Sequence, residues 1–143
     1  MTVHRLVRRA RLTGLSDKGD ICGLLFDGAK SVRACQAFLE WLREQSGECT
    51  RREFSQFTRD LQEGRVLRGF TYRRNVFYGI IRRRLMDMGF LALESRFVPS
   101  GSKSVLKYVP VRQPIPTWRG PPGQTFYRLA WEICKKWNGE WER

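Results

Sequence analysis

The chain has 143 residues, 41% of them hydrophobic and 13% aromatic, with a formal net charge of +13. That length suits one compact domain with extensions, and that apolar content excludes wholesale disorder. No apolar run approaches the roughly 18–20 residues needed to cross a bilayer.

The stretch MTVHRLVRRARLTGL sets Arg5, Arg8, Arg9 and Arg11 around Val3, Leu6, Val7 and Ala10. It lacks the apolar centre and cleavage site of a secretory signal, which points to a cytoplasmic protein, nucleoid-associated if it binds DNA. Residues 1–28 read as a basic N-terminal arm or short element whose arginines can track backbone phosphate. Asp17, Asp20 and Asp27 are spaced as a metal-dependent nuclease needs. They sit among glycines, however, in what reads as turns around the short apolar run ICGLLF.

From Ser31, the residues Val32, Cys35, Phe38, Leu39 and Leu42 form an apolar stripe at helical spacing that ends near Gly47. TRRE at Thr50–Glu53 is a capping box, in which hydroxyl and carboxylate each satisfy an orphan amide. The helix it opens buries Phe54, Phe57 and Leu61 and stops by Gly64. A third helix is expected from a Thr71 cap to Met88, with Gly89 as its terminator. Counting back along it, Met88, Leu85, Ile81 and Tyr78 form the inward stripe. FLALESRFV and SVLKYVPV then read as two strands around a PSGSK turn.

Charge is uneven along these elements. Residues 29–63 carry six basic and six acidic side chains, whereas residues 64–109 carry ten basic and two acidic. A concentrated excess of this kind suggests a face that meets polyanion. A solvated helix face is the plainer reading of the arginines, but TYRRNVFYGIIRRRL holds five of them with no carboxylate to balance them.

Three helices followed by a hairpin, with RRRLMDMGFL joining the third helix to the first strand, resemble the winged helix-turn-helix domain. The resemblance covers Ala29 to about Val111. It departs from the family pattern at Glu63–Phe70, a loop longer than the tight turn of a minimal helix-turn-helix. It implies a mainly α fold with a small antiparallel β-hairpin (α+β), and a recognition helix that lies in the major groove of a duplex. On residues 71–88 the outward face would present Tyr72, Asn75, Gly79, Arg82 and Arg83, with Arg73 and Arg74 flanking the first turn. Arginine offers a planar fork to guanine and asparagine a donor–acceptor pair to adenine. Gly79 either lets the helix approach the groove closely or packs tightly on a neighbouring helix. On the wing, residues 90–109, Arg96, Lys103 and Lys107 with Ser100 and Ser102 would reach phosphates or the minor groove. Arg51 and Arg52 are expected to lie off this interface.

Residues 112–143 read as a proline-rich connector followed by an amphipathic helix. Phe126, Leu129, Ala130, Ile133 and Trp137 recur there at helical spacing. A homodimer through Phe126, Leu129, Ile133 and Trp137 would present two recognition helices to successive half-sites. Trp118, Phe126, Trp131, Trp137 and Trp141 read as core or interface rather than as a stacking platform for single strands.

The sequence shows no catalytic constellation. His4 is the lone histidine, no phosphate-binding glycine loop appears, and no cofactor or metal is implied. Cys22, Cys35, Cys49 and Cys134 lack metal-ligand spacing and read as reduced structural thiols. The expectation is a non-enzymatic DNA-binding protein, most simply a transcriptional regulator with double-stranded DNA as its partner. The competing readings are a winged-helix subunit that docks a protein partner in a larger nucleic-acid machine, and an RNA binder.

Overall fold

A computed structural model describes residues 20–97, 103–115 and 125–142, the last of these with side chains from Ala130 onward. Five helices and a small three-stranded antiparallel sheet make up the described residues. The first helix, α1 (Ile21–Leu25), stands where the sequence suggested turns. Asp20 caps it, accepting from the Gly23 amide at 3.0 Å and from Gln36 Nε2 at 2.8 Å. Ile21, Cys22, Leu24 and Leu25 are buried, so this apolar run is core. Asp20, one of the three closely spaced aspartates, is thereby a cap.

The next helix, α2 (Ala29–Glu44), buries Ala34, Cys35, Ala37, Phe38, Leu39 and Leu42, close to the expected stripe. It starts two residues earlier than Ser31 and ends through the Gly47 amide, which reaches Leu42 O at 2.9 Å with Gly47 at φ 85°. The short strand β1 (Cys49–Thr50) follows, then α3 (Arg51–Gln62). The capping box is present as expected: Glu53 N donates to Thr50 Oγ1 at 3.1 Å and Thr50 N to Glu53 Oε1 at 2.8 Å.

The fourth helix, α4, is continuous through Arg74–Val76, Phe77–Arg82 and Arg83–Asp87. Its middle six residues are wound as a π-helix, with i→i+5 hydrogen bonding. Thr71 does not cap it. Arg73 holds the N-cap position without a side-chain bond, and the Arg74 amide instead donates to Gln62 Oε1 of α3 at 2.8 Å. The wide turn also moves the inward face. Phe77, Ile81 and Leu85 are fully buried at four-residue steps, and Tyr78 is only half-buried. A regular α-helical count places Tyr78 inward; the extra residue in the π turn gives that place to Phe77.

The hairpin is β2 (Leu91–Phe97) against β3 (Ser104–Pro110), and β1 pairs with the other edge of β3. Residues 98–102, with Ser100 and Ser102 among them, lie outside the described residues. Leu93↔Tyr108, Ser95↔Leu106 and Phe97↔Ser104 face one another across β2 and β3, and opposite residues share a face of the sheet. On that face Tyr108 is buried against Phe54, their rings 4.5 Å apart.

The last helix, α5 (Thr125–Gly139), closes the core. Trp137 is fully buried and stacked on Phe90 at 4.8 Å, with its indole N–H on Val111 O at 2.8 Å. Asn138 and Gln113 exchange two hydrogen bonds, at 2.8 and 2.9 Å, and an Arg43–Glu140 ion pair ties α5 to α2. Ile133 and Trp137 therefore serve this chain's own core and are not free to form a dimer interface. Phe126 and Leu129 lie outside the described side chains, and Trp118 outside the described residues. Trp131 is exposed beneath Lys135, and Trp141 meets Trp137 edge to face.

All four cysteines are free thiols and buried. The Cys22 thiol is raised in pKa, first by its hydrogen bond with Cys35 and then by burial. No helix among the described residues is long and apolar enough to cross a membrane.

Candidate nucleic-acid interface

The expected site residues divide into three groups once α4 is placed. Arg73, Asn75, Gly79 and Arg83 are exposed on its outward side. Arg83 makes one ion pair, with Asp87 at 3.7 Å, in an i,i+4 geometry between two solvated side chains. Pairs of that kind contribute about 0.3–0.5 kcal/mol, so Arg83 is readily given up to a stronger anion. A Cβ built on Gly79 meets nothing within 4 Å. Among the described residues no helix packs tightly on the glycine, and this side of α4 is open. Asn75 Oδ1 accepts from the Val76 amide at 3.0 Å, leaving its amide group outward.

The second group is structural. Tyr72, expected on the outward face, is 94% buried, at 6% exposure, with its hydroxyl 3.0 Å from Ser31 Oγ of α2. The chain through Thr71–Arg73 is extended rather than helical, which turns Tyr72 into the core before α4 begins. Arg74 is likewise drawn inward: its guanidinium donates to Ser55 Oγ at 2.5 Å and Thr58 Oγ1 at 3.2 Å. It pins α3 to α4. Arg84 does the same for α1, donating to Leu25 O at 2.7 Å above the Phe26 ring.

The hairpin cations form the third group, and most of their charge is already balanced. The turn into β1 brings Glu48 beside the hairpin, where it meets Arg96 at 3.3 Å and Lys107 at 3.4 Å. Arg96 also pairs with Glu94 at 2.8 Å. Hydrogen bonds to Glu48 and then Glu94 hold the Arg96 guanidinium above its usual pKa. Lys103 is exposed. The N-terminal arginines Arg5, Arg8, Arg9 and Arg11 lie outside the described residues.

Arg82 belongs between these groups. It is half-buried, stacked over Tyr78 at 5.1 Å, and its Nη1 donates to Tyr108 Oη at 3.3 Å. Its Nε is buried and has no hydrogen-bond partner among the described residues. Arg82 shares a cleft of about 370 Å³ with Arg51, Arg52, Ser55, Tyr78 and Tyr108. Arg51 and Arg52 are thus neighbours of the α4 surface rather than remote from it.

Two further exposed groups escaped sequence reasoning. Ile80 is 42% exposed next to Gly79, an apolar group on a cationic helix face. Phe97 is 71% exposed and Leu106 45%, on the sheet face that carries Tyr108 further in. The only advance signal was their unusual apolarity within otherwise charged segments.

No family model, curated protein or solved structure matches this chain. Geometry and charge carry the functional argument.

Proposed function

We propose that this protein binds double-stranded DNA as a winged helix-turn-helix, with α4 in the major groove. The order of α2, α3, α4 and the β2–β3 hairpin is that of the family the sequence resembles. The observation that carries the reading is the outward side of α4: Arg73, Asn75, Gly79 and Arg83 exposed, with open space at the glycine. A helix about 10–12 Å across matches a groove about 12 Å wide. Ile80 on the same helix is suited to an apolar contact with a thymine methyl group. The wing contributes less than the sequence suggested, because Glu48 and Glu94 already hold Arg96 and Lys107. A role in transcriptional regulation is the simplest use of such a module.

The test is affinity for random duplex, single-stranded DNA and structured RNA over a salt series. Duplex should bind tightest, and log affinity should fall linearly with log salt as phosphate neutralisation releases counterions. Equal affinity for all three polymers would remove the groove from the account.

A second reading, a protein-docking subunit of a nucleic-acid machine, is favoured by one observation. Phe97 and Leu106 place apolar surface on the outer half of the hairpin, where phosphate contact alone needs none.

A further inference from the structure

The cleft between the start of α3, the middle of α4 and β3 has a composition unlike the surface around it. Its walls are Arg51, Arg52, Ser55, Tyr78, Arg82 and Tyr108, with no carboxylate among them. None of the three arginines is in an ion pair with a described residue, whereas Arg96 and Lys107, close by on the hairpin, are both neutralised. Glu53, the nearest carboxylate on α3, is committed to the Thr50 amide. Three guanidinium groups left unbalanced around one concavity repel one another unless an anion joins them.

Two details make this more than a basic surface. The Nε of Arg82 is a buried donor with no hydrogen-bond partner among the described residues. Its ring platform is rigid: Tyr78 is wedged edge-on against Phe54 at 5.3 Å, and Phe54 lies against Tyr108 at 4.5 Å. The cleft is also of small-molecule size. At about 370 Å³ it falls in the range of roughly 300–1,000 Å³ typical of ligand pockets. Arginine's planar fork suits the oxygens of a phosphate group and can bind two at once.

We infer that this cleft is a binding site for a terminal phosphate, a dianionic phosphomonoester, held by Arg51, Arg52 and Arg82 with the Tyr108 hydroxyl. Two sources share that chemistry: a free mononucleotide and the 5′-phosphorylated end of a nucleic-acid strand. The site does not depend on groove binding by α4, and it is tested without any duplex.

The experiment is calorimetric titration of the full chain, at low ionic strength, with inorganic phosphate, adenosine 5′-monophosphate and adenosine. A short single strand is titrated in parallel, with its 5′ end phosphorylated or left as the hydroxyl. Adenosine 5′-monophosphate should bind saturably with a Kd below about 1 mM, and adenosine should not bind. Arg51→Gln/Arg52→Gln, two exposed positions that leave the core untouched, should weaken binding about ten-fold or more. Arg82→Lys, which keeps the charge but loses the fork, should weaken it as well. Lys30→Gln/Arg33→Gln removes the same charge from the exposed side of α2 and should leave binding unchanged. A phosphorylated strand that binds about ten-fold tighter than both its hydroxyl form and the mononucleotide identifies a strand end as the source. Equal affinity for strand and mononucleotide identifies the small molecule. Absence of saturable binding by phosphate and adenosine 5′-monophosphate overturns the inference, and so does an equal loss in the Lys30/Arg33 variant.

Discussion

The Arg82 guanidinium lies 5.1 Å from the centre of the Tyr78 ring, one turn back on α4, and reaches the Tyr108 hydroxyl of β3 at 3.3 Å. The hydrogen bond joins α4 to β3 of the hairpin, while the cation–π contact stays within α4 and orients the guanidinium. Tyr108→Phe keeps the buried ring and removes only the hydroxyl. It should lower stability by no more than about 1 kcal/mol, measured by urea unfolding. A larger loss would mean that the hydroxyl anchors the hairpin rather than orienting Arg82.

Glu48 holds the hairpin cations. Its carboxylate pairs with both Arg96 and Lys107, so Glu48→Gln should release Lys107 toward a polyanion while Glu94 still holds Arg96. Duplex affinity at low salt should rise, and the salt dependence should steepen by about one phosphate. Arg96→Ala, by contrast, should cost little affinity. Unchanged binding in Glu48→Gln would show that this part of the hairpin stays away from the duplex.

The C-terminal helix is part of the core rather than an appendage. Trp137 is fully buried on Phe90 and bonds to Val111 O. Trp137→Ala should therefore cost about 3–5 kcal/mol, read from the midpoint of a urea titration. A chain ending at Val111 should fail to fold cooperatively. A stable truncated domain would instead return α5 to the role of a separate oligomerisation element.

Cys49 sets an alkaline limit. Burial, helped by Glu53, raises its thiol pKa from 9.0 to about 12. Below about pH 9 the thiol is neutral in both folded and unfolded chains, and its contribution is fully present. Between pH 9 and 12 the unfolded state loses a proton that the folded state keeps, so stability falls as pH rises. The loss approaches about 1.4 kcal/mol per pH unit. Cys49→Ala should remove this component, leaving a shallower decline above pH 9 than in the parent chain. Parallel profiles would contradict the buried-thiol account.

Much of this fold was legible in the residues, for identifiable reasons. The α2 stripe, the Thr50–Glu53 capping box and the two runs of strand-forming residues on either side of PSGSK are local signals, and each is found in the structure. What escaped depends on tertiary or irregular structure. The two-residue β1 is too short to carry a pattern, and its partner Tyr108 lies far along the chain. ICGLLF forms a helix because α2 and α5 cover it. The π turn in α4 shifted the inward position from Tyr78 to Phe77, a change of phase that no regular period reports. A helical count from an inward Tyr78 turns Tyr72 outward and leaves Arg74 flanking the first turn. Ser31, Ser55 and Thr58 draw them inward instead. The arginine cleft combines residues from three elements, and only folding brings Arg51, Arg82 and Tyr108 together.

The most direct measurement of the central claim is duplex affinity for two charge-matched double variants at one ionic strength. Arg73→Ala/Arg83→Ala strips the outward side of α4, and Lys30→Ala/Arg33→Ala strips an equal charge from α2. If α4 enters the groove, the first should lose about ten-fold or more in affinity and the second about two-fold or less. Equal losses would mean that overall basicity holds the duplex and that α4 reads nothing.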